Sequence, residues 1–185
     1  LNIRKRLPGA FQIAQVYAVI MLMVYGWTLY WYVWKVPSWI YYLTLGELAG
    51  VYAYAASVNL LESLLILAGL LLLAFLLPRA WLSDSFAARG TAFLVPLLGY
   101  IMVLSNSFKT ISEKNYPSAL IDWSPAALGI ALLLAYLAGK WSPLRRALEE
   151  FSARAVIFLY IFVPISAISL AYVFVINLLR SISNG

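Results

Sequence analysis

A chain of 185 residues that is 64% hydrophobic and 11% charged, with a mean hydropathy of +0.90, departs far from a soluble domain, in which about a quarter of residues carry charge. With no Cys and no His it has no disulfide, thiolate nucleophile, imidazole metal ligand or histidine general base, and its seven carboxylates follow no calcium-loop spacing, so neither metal nor cofactor is expected. The thirteen Lys and Arg behind the net charge of +6 lie beside apolar runs, where membrane topology and anionic lipid account for them and nucleic-acid binding is not expected.

The expected class is therefore an all-α integral membrane protein. It reads as one domain, a bundle of about five transmembrane helices with short loops and a short amphipathic cytoplasmic helix. The chain begins Leu1-Asn2, which leaves open a segment upstream. Arg4, Lys5 and Arg6 precede Pro8-Gly9 and an apolar run over 11–34. That pattern superficially matches a signal peptide, but a signal core has roughly 7–15 apolar residues before a small-residue cleavage site. This run is longer and ends in bulky rings, so it reads as a retained first span.

Its far end holds Tyr25, Trp27, Tyr30, Trp31, Tyr32 and Trp34, and beyond Pro37 come Trp39, Tyr41 and Tyr42. Rings with an apolar body and a polar tip settle at headgroup depth, so Trp27, Trp31, Trp34, Trp39, Tyr41 and Tyr42 form an expected interfacial belt. The sharper alternative is a stacking wall for a lipid-linked or pigment-like ligand. Residues 37–57 are apolar but broken by Gly46, Glu47 and Gly50. They form either a short interfacial helix or the start of a long, tilted second helix that begins near Thr44. The spacing of Gly46, Gly50 and Ala53 favours close helix approach.

The second span, 55–77, is built on Leu60–Leu77 and carries one carboxylate, Glu62, before Pro78-Arg79. A loop over Arg79–Arg89 leads to a third span, 90–108, with Pro96 near its start and Ser105, Asn106 and Ser107 at its far end. The polar stretch from Lys109 to Ser124 reads as a water-exposed loop, and Pro125 opens a fourth span, 125–141. Leu144–Arg154 is amphipathic, with Arg145 and Glu149, Arg146 and Glu150, and Glu150 and Arg154 at i,i+4. It is either a solvated connector helix or a docking surface for anionic lipid or a partner. The fifth span, 155–179, contains Pro164, where a kink is expected, with the Ser166 and Ser169 hydroxyls serving backbone groups around it.

If the N-terminus is cytoplasmic, the inner segments hold Arg4, Lys5, Arg6, Arg79, Arg89, Lys140, Arg145, Arg146 and Arg154. The outer ones hold Lys35, Lys109, Lys114 and Arg180, so nine basic residues face four. This asymmetry predicts a multi-pass protein of the cell membrane with its N-terminus inside and its C-terminus outside. No internal repeat supports two inverted halves.

That threading puts Asn59, Glu62, Ser105, Asn106 and Asn177 in the outer third of the bilayer, with Glu47 a further candidate. A carboxylate facing lipid costs about 2.5 kcal/mol or more, so Glu62 is expected to be protonated, paired or facing a wet cavity. Asn59 and Glu62, three residues apart, would share an interior face, with Asn106 or Asn177 as nearest polar partners. The cluster is either structural or a pocket that binds a cation, moves a proton or acts on a lipid-linked substrate. Gln12 and Gln15 form a weaker patch at the inner end of the first span.

No phosphate loop, hydrolase elbow or zinc-protease motif is present. Three readings follow. The first is a non-enzymatic subunit or accessory or assembly factor of a membrane complex, in contact with membrane lipid and with other membrane protein subunits or a second copy. The second is a small transporter or lipid-binding protein with its pocket at Glu62. The third is a lipid-modifying enzyme with a carboxylate base.

Overall fold

The computed structural model describes residues 8–77, 82, 84–107 and 116–183, which are mostly helical with no strand among them. In chain order the helices are α1 (Ala10–Trp39), α2 (Leu45–Leu76), α3 (Phe86–Ser107), α4 (Tyr116–Lys140), α5 (Ser142–Ala155) and α6 (Ile157–Ser183). Among the described residues, five stretches are long and apolar enough to cross a membrane. They are α1, α2, Phe86–Asn106, Asp122–Lys140 and Ser142–Leu179, the last holding α5 and most of α6. Apolar side chains such as Leu65, Ile168 and Phe174 are at least 70% exposed on these helices. A water-soluble monomer does not present so much apolar surface, whereas hydrocarbon suits it and the helical backbone satisfies its own hydrogen bonds there.

Several boundaries differ from the sequence reading, each for a local reason. α1 continues through Pro37 to Trp39, and a turn over residues 40–44 leads into α2 at Leu45. The stretch 37–57 thus resolves into the end of α1, a turn and the beginning of a long α2. Thr44 and Glu47 set that start as a capping box. Thr44 N–H donates to Glu47 Oε2 at 2.8 Å and Glu47 N–H donates to Thr44 Oγ1 at 3.3 Å.

α3 begins at Phe86, four residues before the expected Gly90, so Pro96 stands in its middle. The part of the expected polar loop from Tyr116 to Ser124 is helical, which makes Pro125 an internal residue of α4; residues 108–115 lie outside the described residues. Pro117, at the second position of α4, suits a helix start, where the missing amide costs nothing. α6 is continuous through Pro164, and the break in this region is at Val156, between α5 and α6.

Contacts divide the chain into two units, one of Leu1–Val19 with Ala68–Val156 and one of Ile20–Leu67 with Ile157–Gly185. In the first, α3, α4 and α5 pack on one another. Gly90 of α3 lets Val16 and Leu70 close in, since a Cβ there would stand 3.2 Å from Val16 Cγ2 and 3.3 Å from Leu70 Cδ2. In the second, α1, α2 and α6 share a core around Tyr25, which is 1% exposed and stacks on Phe162 with ring centroids 4.7 Å apart. Gly50 of α2 lies against Tyr172 of α6, where a Cβ would come within 3.3 Å of the hydroxyl, while Gly46 has open space beside it. Of the small-residue spacing, Gly50 and the buried Ala53 thus face packed surface.

Candidate functional site

The polar residues singled out from the sequence are divided between the two units. Ser105 and Asn106 belong to the first unit, and Glu47, Asn59, Glu62 and Asn177 to the second. Ser105 and Asn106 are exposed, and Ser105 Oγ returns to its own helix, donating to Ile101 O at 2.8 Å. Glu47 is exposed and engaged in the α2 cap. Asn177, also exposed, accepts a bond from the Tyr54 hydroxyl at 3.3 Å.

Asn59 and Glu62 do not share an environment. Asn59 is 6% exposed and accepts from Thr28 Oγ1 at 3.0 Å, which ties α2 to α1. Glu62 lies on the exposed side of α2, beside Val58 (60% exposed), Leu61 (60%) and Leu65 (72%), and makes no hydrogen bond or ion pair with the described residues. Three residues advance the helix by about 300°, so only one of the pair can sit at the centre of a narrow buried stripe. Asn59 takes it, because Thr28 offers a donor there.

A polar centre that sequence reasoning missed lies in the core of the second unit. The Tyr25 hydroxyl donates to Ala56 O at 3.0 Å and also contacts Ser166 Oγ, which donates to Phe162 O at 2.6 Å. Ser166 therefore serves the carbonyl four residues back rather than that of Tyr160, which Pro164 deprives of its amide partner. A tyrosine on an apolar helix gives no advance sign of a hydroxyl acceptor, so in the sequence Tyr25 is one more ring at the far end of the first span.

The aromatic residues form a ladder on one side of α1. Trp27, Tyr30, Trp31 and Trp34 stand at i, i+3, i+4 and i+7, with successive ring centroids 5.4–5.9 Å apart. Tyr41 and Tyr42 in the following turn are 82% and 86% exposed. Tyr32 faces elsewhere, pairing with Trp39 and Tyr52 and donating to Leu48 O at 3.0 Å.

The first unit contains a cavity of about 280 Å³. Leu77, Phe93 and Leu132 give it apolar walls, while Arg89 and Lys140 give it positive charge beside the Tyr136 ring. Gly139 makes room for the arginine, since a Cβ there would stand 2.6 Å from Arg89 Cζ. On α5, Arg145 pairs with Glu149 at 2.9 Å and Arg154 with Glu150 at 3.8 Å, leaving the exposed Arg146 without the expected Glu150 contact. No protein-family model, curated protein or solved structure matches this chain.

Proposed function

We propose that the protein is a non-enzymatic subunit of a membrane complex, and that the Glu62 side of α2 packs against a second membrane-embedded polypeptide. One observation carries this reading: a carboxyl on an apolar helix that is exposed and has no partner among the described residues. α2 has 32 residues and is about 48 Å long at 1.5 Å per residue, so it exceeds a hydrocarbon core of about 30 Å. If its last residue, Leu76, marks one membrane boundary, Glu62 lies about 21 Å inside that boundary. If its first residue, Leu45, marks the other, the distance is about 25 Å. Both limiting placements keep the carboxyl within hydrocarbon, where lipid tails offer it no donor. A facing helix with a polar or basic side chain would supply one, and Val58, Leu61, Glu62 and Leu65 have the i, i+3, i+4, i+7 spacing of a helix-packing seam. In the same reading the N-terminus is cytoplasmic and the C-terminus outside, on the nine-to-four division of basic residues.

Photo-crosslinking residues placed at Leu61 and Leu65 in native membranes test the seam. The expected result is a polypeptide adduct whose mass identifies either a different chain or a second copy. Glu62→Gln retains the adduct, because an amide still hydrogen-bonds, and Glu62→Leu reduces it by about tenfold, the effect of about 1.4 kcal/mol. Adducts to lipid alone, indifferent to both substitutions, would refute the subunit reading.

A further inference from the structure

We propose that the cavity of the first unit is a binding site for the phosphate of an anionic membrane lipid, held by Arg89 and Lys140 with the acyl chains leaving over the apolar wall. This concerns different residues from the Glu62 seam and stands or falls apart from it.

The placement of the residues supports a headgroup site. Arg89 lies in the first turn of α3, Lys140 is the last residue of α4, and Leu77 follows the last residue of α2. The cavity thus sits where three apolar helices end, the depth at which lipid phosphates lie. The two charged residues that line it, Arg89 and Lys140, are both cations, and the first turn of α3 contains no acid. A cation in that turn adds to the positive end of the helix dipole instead of offsetting it, so an anion is the group that lowers the local energy.

Gly139 seats the arginine against α4, the helix that ends in Lys140. The Arg89 guanidinium rests against the bare Cα next to Lys140, whose Nζ lies 4.7 Å from the centre of the Tyr136 ring. A planar fork and a point charge lining one cavity suit the several oxygens of one phosphate. Size and wall chemistry separate lipid from a soluble anion. A cavity of about 280 Å³ has the volume of about nine waters, enough for a phosphate and the first carbons of its glycerol but not for acyl chains. Leu77, Phe93 and Leu132 supply apolar contact that inorganic phosphate would not use.

The test uses the purified full chain in dodecyl maltoside, titrated with dioleoyl phosphatidylglycerol, dioleoyl phosphatidylcholine or inorganic phosphate. Lipid retention is followed by native mass spectrometry. Phosphatidylglycerol is expected to bind at least about tenfold more tightly than phosphatidylcholine, and inorganic phosphate not to displace it at equal concentration. Lys140→Gln should weaken phosphatidylglycerol by about tenfold, the loss of one charge-assisted hydrogen bond. Gly139→Ala should weaken it comparably with every charge kept, because the new methyl displaces the guanidinium. Arg146→Gln, an exposed cation of α5 outside the cavity, should change it by less than about twofold. Equal binding of the two lipids, or an Arg146→Gln effect as large as that of Lys140→Gln, would overturn the site in favour of general surface charge. Competition by inorganic phosphate would overturn the lipid assignment in favour of a soluble anion.

Discussion

Two hydroxyl protons serve three contacts at the centre of the second unit, and this count predicts how the site responds to substitution. Tyr25 donates either to Ala56 O or to Ser166 Oγ; Ser166 donates either to Phe162 O or to Tyr25. Only two of the three contacts can hold a proton at once. Tyr25→Phe leaves the Ser166 bond intact and keeps the ring stacked on Phe162, and Ser166→Ala leaves the Tyr25 bond to Ala56. Each is expected to cost about 1 kcal/mol, and the double substitution about 2, with a coupling below about 0.5 kcal/mol. Reversible unfolding in mixed micelles measures the cycle; a coupling above 1 kcal/mol would mean that the hydroxyls act as one cooperative unit. The pairing at this centre was not readable in the sequence, because Tyr25 and Ser166 are 141 positions apart. Glu62, by contrast, stood out from its surroundings, and what the sequence lacked was its azimuth relative to Asn59.

At the scale of the helices, the glycines of α3 separate packing from propensity. Gly90 faces Val16 and Leu70, whereas Gly99 on the same helix has nothing within 4 Å of a built Cβ. Gly90→Val and Gly99→Val change intrinsic helix preference alike, so the difference between them isolates the contact. Gly90→Val is expected to lower stability by about 2 kcal/mol more than Gly99→Val through overpacking, read as a lower unfolding midpoint in detergent. Equal effects would mean that the junction of α1, α2 and α3 is loosely packed at Gly90. The number of long apolar helices was readable because spans need about 20 apolar residues and the loops break that run. Their ends were less so, and the helix ends at Phe86 and Tyr116, outside the apolar runs read as spans, share one cause. Hydropathy marks where a helix enters hydrocarbon rather than where it begins, and a proline within a long apolar helix is tolerated more readily than in a soluble one. The i,i+4 charges of α5 were enough to identify that helix, although one of the three expected pairs does not form.

For the whole molecule, the proposed orientation gives a testable threading. Five crossings with an inner N-terminus put the turn over residues 40–44 outside and the start of α5 inside. Tyr42 and Ser142 are exposed residues at those two places. The chain has no cysteine, so single replacements at these positions report without background. In intact cells a membrane-impermeant maleimide should label Tyr42→Cys, and should reach Ser142→Cys only after permeabilisation. The reverse pattern would invert the protein and move Arg89 and Lys140 to the outer leaflet. Labelling of both in intact cells would remove one crossing between α2 and α4, and with it the balance of nine basic residues against four. The orientation also bears on the lipid cavity. The cytoplasmic leaflet carries the anionic lipids and a surface potential of about −30 mV, so an inward cavity meets its proposed ligand at high local concentration. An outward cavity would not.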